Sequence, residues 1–261
     1  MRIGILTSQD VGVASYMLPH LQQLASGFEV VAVFYNSGQP AKNRRWAVRK
    51  AKKVLRIGLL GVLIGFRMRR WYGVNTSEIL GVKSLGQLRE NNGFYFDLFE
   101  LPSLNGRRMV QAMKSARVDL VVSLGNGFIS PSVYSIPKFG MLNVHHEQLP
   151  SHRNAQSVIW QLYGRSSITG YTIHEISREI DGGRIVLRED IPIAFEKTLA
   201  LTVSRTYAAL WVASTHGLAK VLNDFGSFIQ EADIQEGEIG HFTTPSLLQY
   251  VRIWLNWRRL K

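Results

Sequence analysis

Asp119-Leu120-Val121-Val122-Ser123-Leu124-Gly125-Asn126-Gly127 is the stretch on which the fold turns. Its first six residues are almost all Val or Leu, with none of the alternation of a half-exposed strand, and two glycines stop it. A short, continuously apolar run bounded by glycine reads as a strand buried on both faces, the kind found in parallel sheets. The same rhythm extends upstream. Arg2–Thr7, Phe28–Tyr35 and Asp97–Glu100 read as strands, and Ala14–Ala25 and Asn105–Ala116 as helices, with Gly27 closing the first helix in the usual C-terminal glycine position. Downstream, Gly140–His145 reads as a strand, Ala155–Tyr163 as a helix, Thr169–Glu175 and Arg184–Pro192 as strands, and Thr198–Asn223 as a long helix. Strands alternating with helices define an α/β chain whose mostly parallel sheet is covered on both faces. Between Asn36 and Asn75 the rhythm breaks, as though a segment were inserted.

Composition bounds what such a chain can do. It has 261 residues, 46% hydrophobic and 19% charged, enough for a real core and too apolar for disorder. It contains no Cys, which excludes disulfide scaffolds, thiolate metal sites and cysteine nucleophiles and fits a reducing, cytoplasmic compartment. Met1-Arg2 leads directly into the first strand, leaving no room for a secretory signal. The formal charge is +12, unevenly placed. Residues 40–72 hold 11 basic residues and no acid, and residues 247–261 hold four more, again unopposed, so the remainder carries −3. In the first of these segments Trp46, Val48, Val54 and Leu55 interleave with bases, and Ile57–Phe66 is wholly apolar for ten residues. A bilayer-spanning helix needs about 20, so this run cannot cross one. Three readings compete for the two basic segments: a solvated surface, a peripheral contact with the inner face of a membrane, and RNA binding. An apolar run weighs against tracking phosphates.

Parallel sheets bind ligands outside the carboxyl ends of their strands, which directs attention to the loops after Leu124 and Val144 and around Asp181. Gly125-Asn126-Gly127 is not a dinucleotide fingerprint: Ser130 stands where the third glycine belongs, and no acidic residue follows at the required distance. The informative stretch is Asn143-Val144-His145-His146-Glu147-Gln148-Leu149-Pro150, followed by Ile180-Asp181-Gly182-Gly183. Asn143 and His145 lie two residues apart on a strand and so share one face. An amide, an imidazole and a later carboxylate, with no Ser or Cys nucleophile, suit direct attack of an amine on an activated carbonyl. Asn and His stabilise the developing oxyanion while Asp orients His and relays the proton. A metal site among His146, Glu147, His152 and His174 is disfavoured, because adjacent histidines on a strand face opposite ways. His174 reads as solvent-facing or packed against a loop. Taken singly, Asn143 and His145 could be no more than satisfied polar residues at a strand end, and Asp181 a turn former.

The Asn-x-His pair, with Asp-x-Gly beginning 36 residues after the His, resembles the folate-dependent formyltransferases, which act on methionyl-tRNA, glycinamide ribonucleotide or amino sugars. Leu149-Pro150, Thr169–His174, Gly183 and the upstream Gly127-Phe128-Ile129-Ser130-Pro131 also match that pattern. The resemblance implies a Rossmann-like formyltransferase fold and 10-formyltetrahydrofolate as the formyl donor, without a metal. It implies Asn143, His145 and Asp181 as the catalytic set, and Asn126, Gly127, Phe128, Ile129, Leu149, Pro150 and Ile180 as residues of the folate pocket. It further implies a catalytic domain over residues 1–225 and an extension over 226–261. Glu147-Gln148 and Arg153-Asn154 depart from the family's usual Ser-Leu and Arg-Gly, at positions expected to face the donor or the acceptor. Thr7-Ser8-Gln9-Asp10 lacks the glycine-rich phosphate loop of the glycinamide ribonucleotide enzymes, and the chain is short for the C-terminal barrel of the tRNA enzymes. The leading acceptor is therefore a small amine, an amino sugar carried on a nucleotide; the alternatives are a tRNA acceptor, hydrolysis of the formyl folate, or a non-catalytic adaptor.

Overall fold

The structure, a computed structural model, describes residues 1–38, 76–90, 95–154, 156–242 and 244–261, with Val48, Ala51, Val54 and Leu55 standing alone in between. The basic segment 40–72 otherwise lies outside the described residues. Seven strands form one sheet: β1 (Arg2–Thr7), β2 (Glu29–Asn36), β3 (Asp97–Leu101), β4 (Leu120–Leu124), β5 (Met141–His145), β6 (Ile168–Glu175) and β7 (Ile185–Pro192). Their spatial order is β3-β2-β1-β4-β5-β6-β7. The pairings from β3 through to β5 are parallel, and β6 and β7 are added antiparallel. The chain turns in opposite directions from β1 to β2 and from β4 to β5, which opens a crevice at the carboxyl ends of the neighbouring strands β1 and β4.

Strand alternation sorts the core into two layers. Ile3, Ile5, Leu120, Val122, Leu124, Leu142, Val144, Tyr171 and Ile173 pack on the face covered by the Val13–Leu24 and Leu199–Asn223 helices. Leu6, Phe34, Val121 and Met141 pack on the opposite face, beneath the Arg107–Ala116 helix. A smaller cluster joins Ile159 and Leu162 to Leu199 and Val203 and to Ile253 and Trp257 of a C-terminal helix, Leu247–Leu260.

Three details differ from the sequence reading. The first helix ends at Leu24, and its cap is Asn223 from the distant end of the long helix: Asn223 Nδ2 donates to Leu24 O at 2.9 Å, and its Oδ1 accepts from the amides of Ser26 and Gly27. The helix expected over Ala155–Tyr163 is confined to Ile159–Tyr163. Thr76–Ile79 and Leu85–Glu90 add two short helices that the apolar spacing does not announce; Asp10 Oδ1 accepts from Leu85 N at 3.1 Å at the start of the second.

Gly217 is the close-approach point between the long helix and β6. A Cβ there would lie 2.0 Å from the Tyr171 hydroxyl, which is buried and donates to Glu189 at 2.6 Å. Helix propensity alone favours Ala over Gly by about 1 kcal/mol, but overpacking a filled core costs about 1–3 kcal/mol. Gly217→Ala is therefore expected to destabilise the chain, by up to about 2 kcal/mol, as a lowered urea midpoint at unchanged slope; a raised midpoint would show that the helix stands off the sheet.

Candidate active site

Asn143 and His145 end β5 on the face opposite the apolar layer of Leu142 and Val144, as the two-residue spacing requires. Antiparallel pairing sets Asn143 against His174. Asn143 Nδ2 donates to His174 Nε2 at 3.1 Å, and His174 Nδ1 donates to the Glu175 carbonyl at 2.9 Å, which assigns the neutral tautomer to this ring. His174 is thus neither solvent-facing nor loop packing: it is buried and holds one of the two hydrogens of the Asn143 amide. Burial, reinforced by the nearby His145, pushes its pKa down to about 4. His145 Nε2 donates to the His152 carbonyl at 3.1 Å.

Asp181 enters from the loop after β6. Its Oδ1 lies 3.8 Å from His174 Nε2 and its Oδ2 lies 4.0 Å from His145 Nε2, so the carboxylate sits between the two rings. The residue has φ 52°, a left-handed conformation that a non-glycine residue keeps only when its surroundings hold it. Two contacts do so: Asn154 N donates to Asp181 Oδ2 at 3.0 Å, and Gln235 Nε2 donates to the carbonyls of Asp181 and Gly183, each at 2.8 Å. Gln235 is held in turn by Arg153, whose Nε and Nη2 donate to its Oε1 at 3.1 and 2.7 Å. The same buried guanidinium donates to Glu179 through Nη1 at 2.5 Å. Nothing local in the sequence marks Gln235, which lies 54 residues beyond Asp181.

These groups border a cavity of about 610 Å³. Asn126, Gly127, Phe128, Ile129 and Ile180 line it together with Asn143, His145, His174 and Asp181. Phe128 is 57% and Ile180 59% exposed, an apolar rim to a polar interior, whereas Ile129 is buried. Asn126 also ties its loop to β1: its Nδ2 donates to Leu6 O at 2.5 Å and its Oδ1 accepts from Ser8. Leu149 and Pro150 are not in the lining; Leu149 is buried and bonded through its amide to Thr172 and through its carbonyl to Arg188. Of Glu147, Gln148, Arg153 and Asn154, only Asn154 faces the cavity. Gln148 donates to Asp190 outside it.

Glu147 is buried behind the site and accepts from Gln161, while its second oxygen has no partner among the described residues. Burial drives its carboxyl well above the usual 4.5. His146 beside it accepts from or donates to Ser214 at 3.1 Å, and burial with the neighbouring His145 pushes its pKa down to about 3. Protons are therefore disfavoured on His146 and His174 and favoured on Glu147.

The sheet crevice thus brings an amide, an imidazole and a carboxylate to one cavity wall, groups able to donate hydrogen bonds to a bound carbonyl and to handle a proton beside it. A sequence profile described as formyl transferase matches residues 1–210. The chain belongs to the formyl transferase family. Methionyl-tRNA formyltransferases of Deinococcus radiodurans and Nitrosospira multiformis are 34% and 35% identical to it over 110 and 118 residues, or 41% and 45% of this chain. The matched stretches span 35% and 36% of those relatives, about a third of their length. Among solved structures, a sugar N-formyltransferase from a Shewanella species superposes with a TM-score of 0.56 at 13% identity, covering 98% of this chain and 87% of that one. Glycinamide ribonucleotide transformylase 1 from Symbiobacterium toebii gives 0.56 at 15%, covering 90% and 94%. A sugar 3N-formyl transferase solved in the presence of dTDP and 5-N-formyl-THF gives 0.53 at 15%, covering 94% and 70%. At these identities the structural likeness establishes the fold, Rossmann-like and shared with formyltransferases.

Two outcomes follow. Gln235→Glu keeps an acceptor for Arg153 but removes both donors to the Asp181 loop. It is expected to cost about 1–3 kcal/mol in urea unfolding, with Gln235→Leu costing at least as much; wild-type stability in both would mean that the loop holds itself. The buried ionisable groups set opposite pH trends. Stability linked to Glu147 is complete below its unfolded value of 4.5 and is lost as pH rises towards its raised folded value; that linked to His146 and His174 is complete above 6.5 and is lost as pH falls through their folded values of about 3 and 4. Glu147→Gln is expected to raise stability more at about pH 8 than at about pH 5, read from urea midpoints at the two pH values. An identical gain at both would mean that Glu147 titrates normally.

Proposed function

We propose that this chain transfers a formyl group from 10-formyltetrahydrofolate to the amine of a small acceptor, an amino sugar carried on a nucleotide. The observation that carries the reading is the meeting of Asn143, His145 and Asp181 on one cavity wall beneath the apolar rim of Phe128 and Ile180. The donor supplies a formyl group already activated for attack by an amine. Its size and chemistry fit these residues: a cavity of about 610 Å³ falls in the range of pockets that hold small organic ligands, and an aromatic rim beside a polar floor suits a flat heterocycle with a reactive carbonyl.

The chain's own groups would divide the work. His174 fixes one hydrogen of the Asn143 amide and leaves the other to donate to the oxyanion that forms as the amine attacks. His145, on the same strand face, supplies the second donor by exchanging its Nε2 hydrogen bond to the His152 carbonyl for one to the oxyanion. Asp181, facing both rings, orients His145 and helps relay the proton that the amine loses to the nitrogen of tetrahydrofolate as its bond to the formyl carbon breaks. In this reading residues 1–225 carry the reaction and the 226–261 segment clamps the Asp181 loop.

The small acceptor is supported by the extent to which this chain and sugar N-formyltransferases superpose, and by Thr7–Asp10, where Asp10 caps the Leu85–Glu90 helix and no glycine-rich cradle for phosphate exists. A tRNA acceptor is the second reading, favoured by the sequence relatives. Hydrolysis of the donor by water is the third. Cytoplasmic placement rests on the cysteine-free composition.

The deciding measurement follows tetrahydrofolate release with a panel of amino-sugar nucleotides, with methionyl-tRNA, and with no acceptor. Release dependent on an amino sugar is expected; release with tRNA alone would assign the second reading, and release without acceptor the third. His145→Ala and Asp181→Ala are each expected to lower kcat by about 10²–10³-fold, the usual cost of losing one transition-state group. Undiminished turnover in both would overturn the assignment of the site.

A further inference from the structure

Among the described residues, the Leu247–Leu260 helix presents an outward face that neither the fold nor the site uses. Its inner face is firmly seated: Ile253, Asn256 and Trp257 are buried, Asn256 Nδ2 donates to the carbonyls of Leu162 and Tyr163 at 2.9 and 3.0 Å, and Trp257 Nε1 donates to Thr202 Oγ1 at 2.9 Å. A capping box between Ser246 and Gln249 closes its start. The helix therefore holds one orientation. At about 100° per residue, Leu248, Val251 and Leu255 fall in a single outward strip, and they are 82%, 44% and 42% exposed. Arg258 and Trp254 border this strip on one side, with the guanidinium 4.8 Å from the ring centre, and Arg252 and Arg259 border it on the other.

We propose that this face docks on an anionic lipid surface, with Leu248, Val251 and Leu255 entering the headgroup boundary and the flanking arginines meeting lipid phosphates. An apolar strip edged on both sides by cations, with an aromatic at its margin, is the pattern of helices that lie in a membrane interface. Charge selects the occupant. No acidic residue occurs between 247 and 261, so a second copy set symmetrically on this face would place arginines against arginines. Nucleic acid would satisfy the arginines but leave three exposed aliphatic side chains without a role. The unopposed basic excess of residues 40–72 favours the same kind of surface. Among the described residues no helix is long and apolar enough to cross a membrane, and this one, at 14 residues, lies on the surface.

The test is co-sedimentation of the full chain with phosphatidylcholine vesicles with and without phosphatidylglycerol. The wild type is expected to partition onto the anionic vesicles and to be released by salt. Leu248→Glu with Leu255→Glu is expected to lower that partition about tenfold with unchanged thermal melting, and Leu248→Trp, at the same exposed position, to raise it. The 40–72 segment is intact in every variant, so binding that survives Leu248→Glu/Leu255→Glu undiminished would overturn the proposal. So would equal binding to neutral vesicles, or a variant that changes the mass at sedimentation equilibrium instead of vesicle binding, which would make a second copy the occupant.

Discussion

The antiparallel register between β5 and β6 is the constraint on which the site depends. It sets Leu142 opposite Glu175, Asn143 opposite His174, Val144 opposite Ile173 and His145 opposite Thr172. Because side chains alternate, Leu142, Val144, Tyr171 and Ile173 fill one apolar layer while Asn143, His145, Thr172 and His174 project from the other face. A slip of one residue would drive Asn143 and His145 into the layer beneath the long helix and turn two aliphatic side chains outward. Burying each such side chain is worth about 1.5–3 kcal/mol, more than the roughly 1 kcal/mol of a net hydrogen bond. The apolar face therefore enforces the position of the polar one. Thr172 extends the constraint to the chain beyond His145: its hydroxyl donates to the Glu147 carbonyl at 2.7 Å and accepts from Leu149 N at 3.1 Å.

Charge is placed with equal economy around this register. His146 and His174 are held neutral by burial, and Glu147 is pushed towards its neutral form by the same cause, so the polar ground behind the cavity carries little charge of its own. The arrangement has a local cost. Among the described residues Glu147 Oε1, Gln161 Oε1 and Trp160 Nε1 are buried without hydrogen-bond partners. A buried carboxyl with one open oxygen is tolerable only when neutral, which ties the protonation of Glu147 to the burial of the helix that carries Gln161.

The central strands were legible in the sequence because β1, β4 and β5 are short apolar runs whose burial needs no distant information; the structural bounds of β1 and β5 fall within a residue of those read from spacing. That Asn143 and His145 share a strand face followed from their two-residue spacing, whereas Asp181 was joined to them only by the family resemblance, since Asp-Gly-Gly on its own reads as a turn. What closes around them was not legible. Gln235 reaches the Asp181 loop from another part of the chain, and Asn223 caps a helix whose last residue is 199 positions away. Such contacts leave no period in the local sequence. His174 was misread because its neighbours on the strand mask it: only the cross-strand partner reveals that an imidazole between Ile173 and Glu175 faces the site.

The C-terminal segment is best understood as part of the site's frame rather than an appendage. Arg153 N donates to Gly240 O at 2.8 Å, Phe242 N donates to Arg153 O at 3.1 Å, and Asn154 Nδ2 donates to Phe242 O at 3.1 Å, so residues 240–242 run beside the loop that carries Asn154. Phe242 stacks on His152 with ring centres 5.1 Å apart, and the His152 carbonyl accepts a hydrogen bond from His145 Nε2. A few residues later the chain becomes the amphipathic helix, fixed by Asn256 to the carbonyls that end the Ile159–Tyr163 helix. The outward strip of Leu248, Val251 and Leu255 thus lies on a helix that follows, a few residues along the chain, the segment packed beside Arg153 and Asn154. A surface contact at that strip would orient the cavity relative to the surface without altering the register that makes the cavity work.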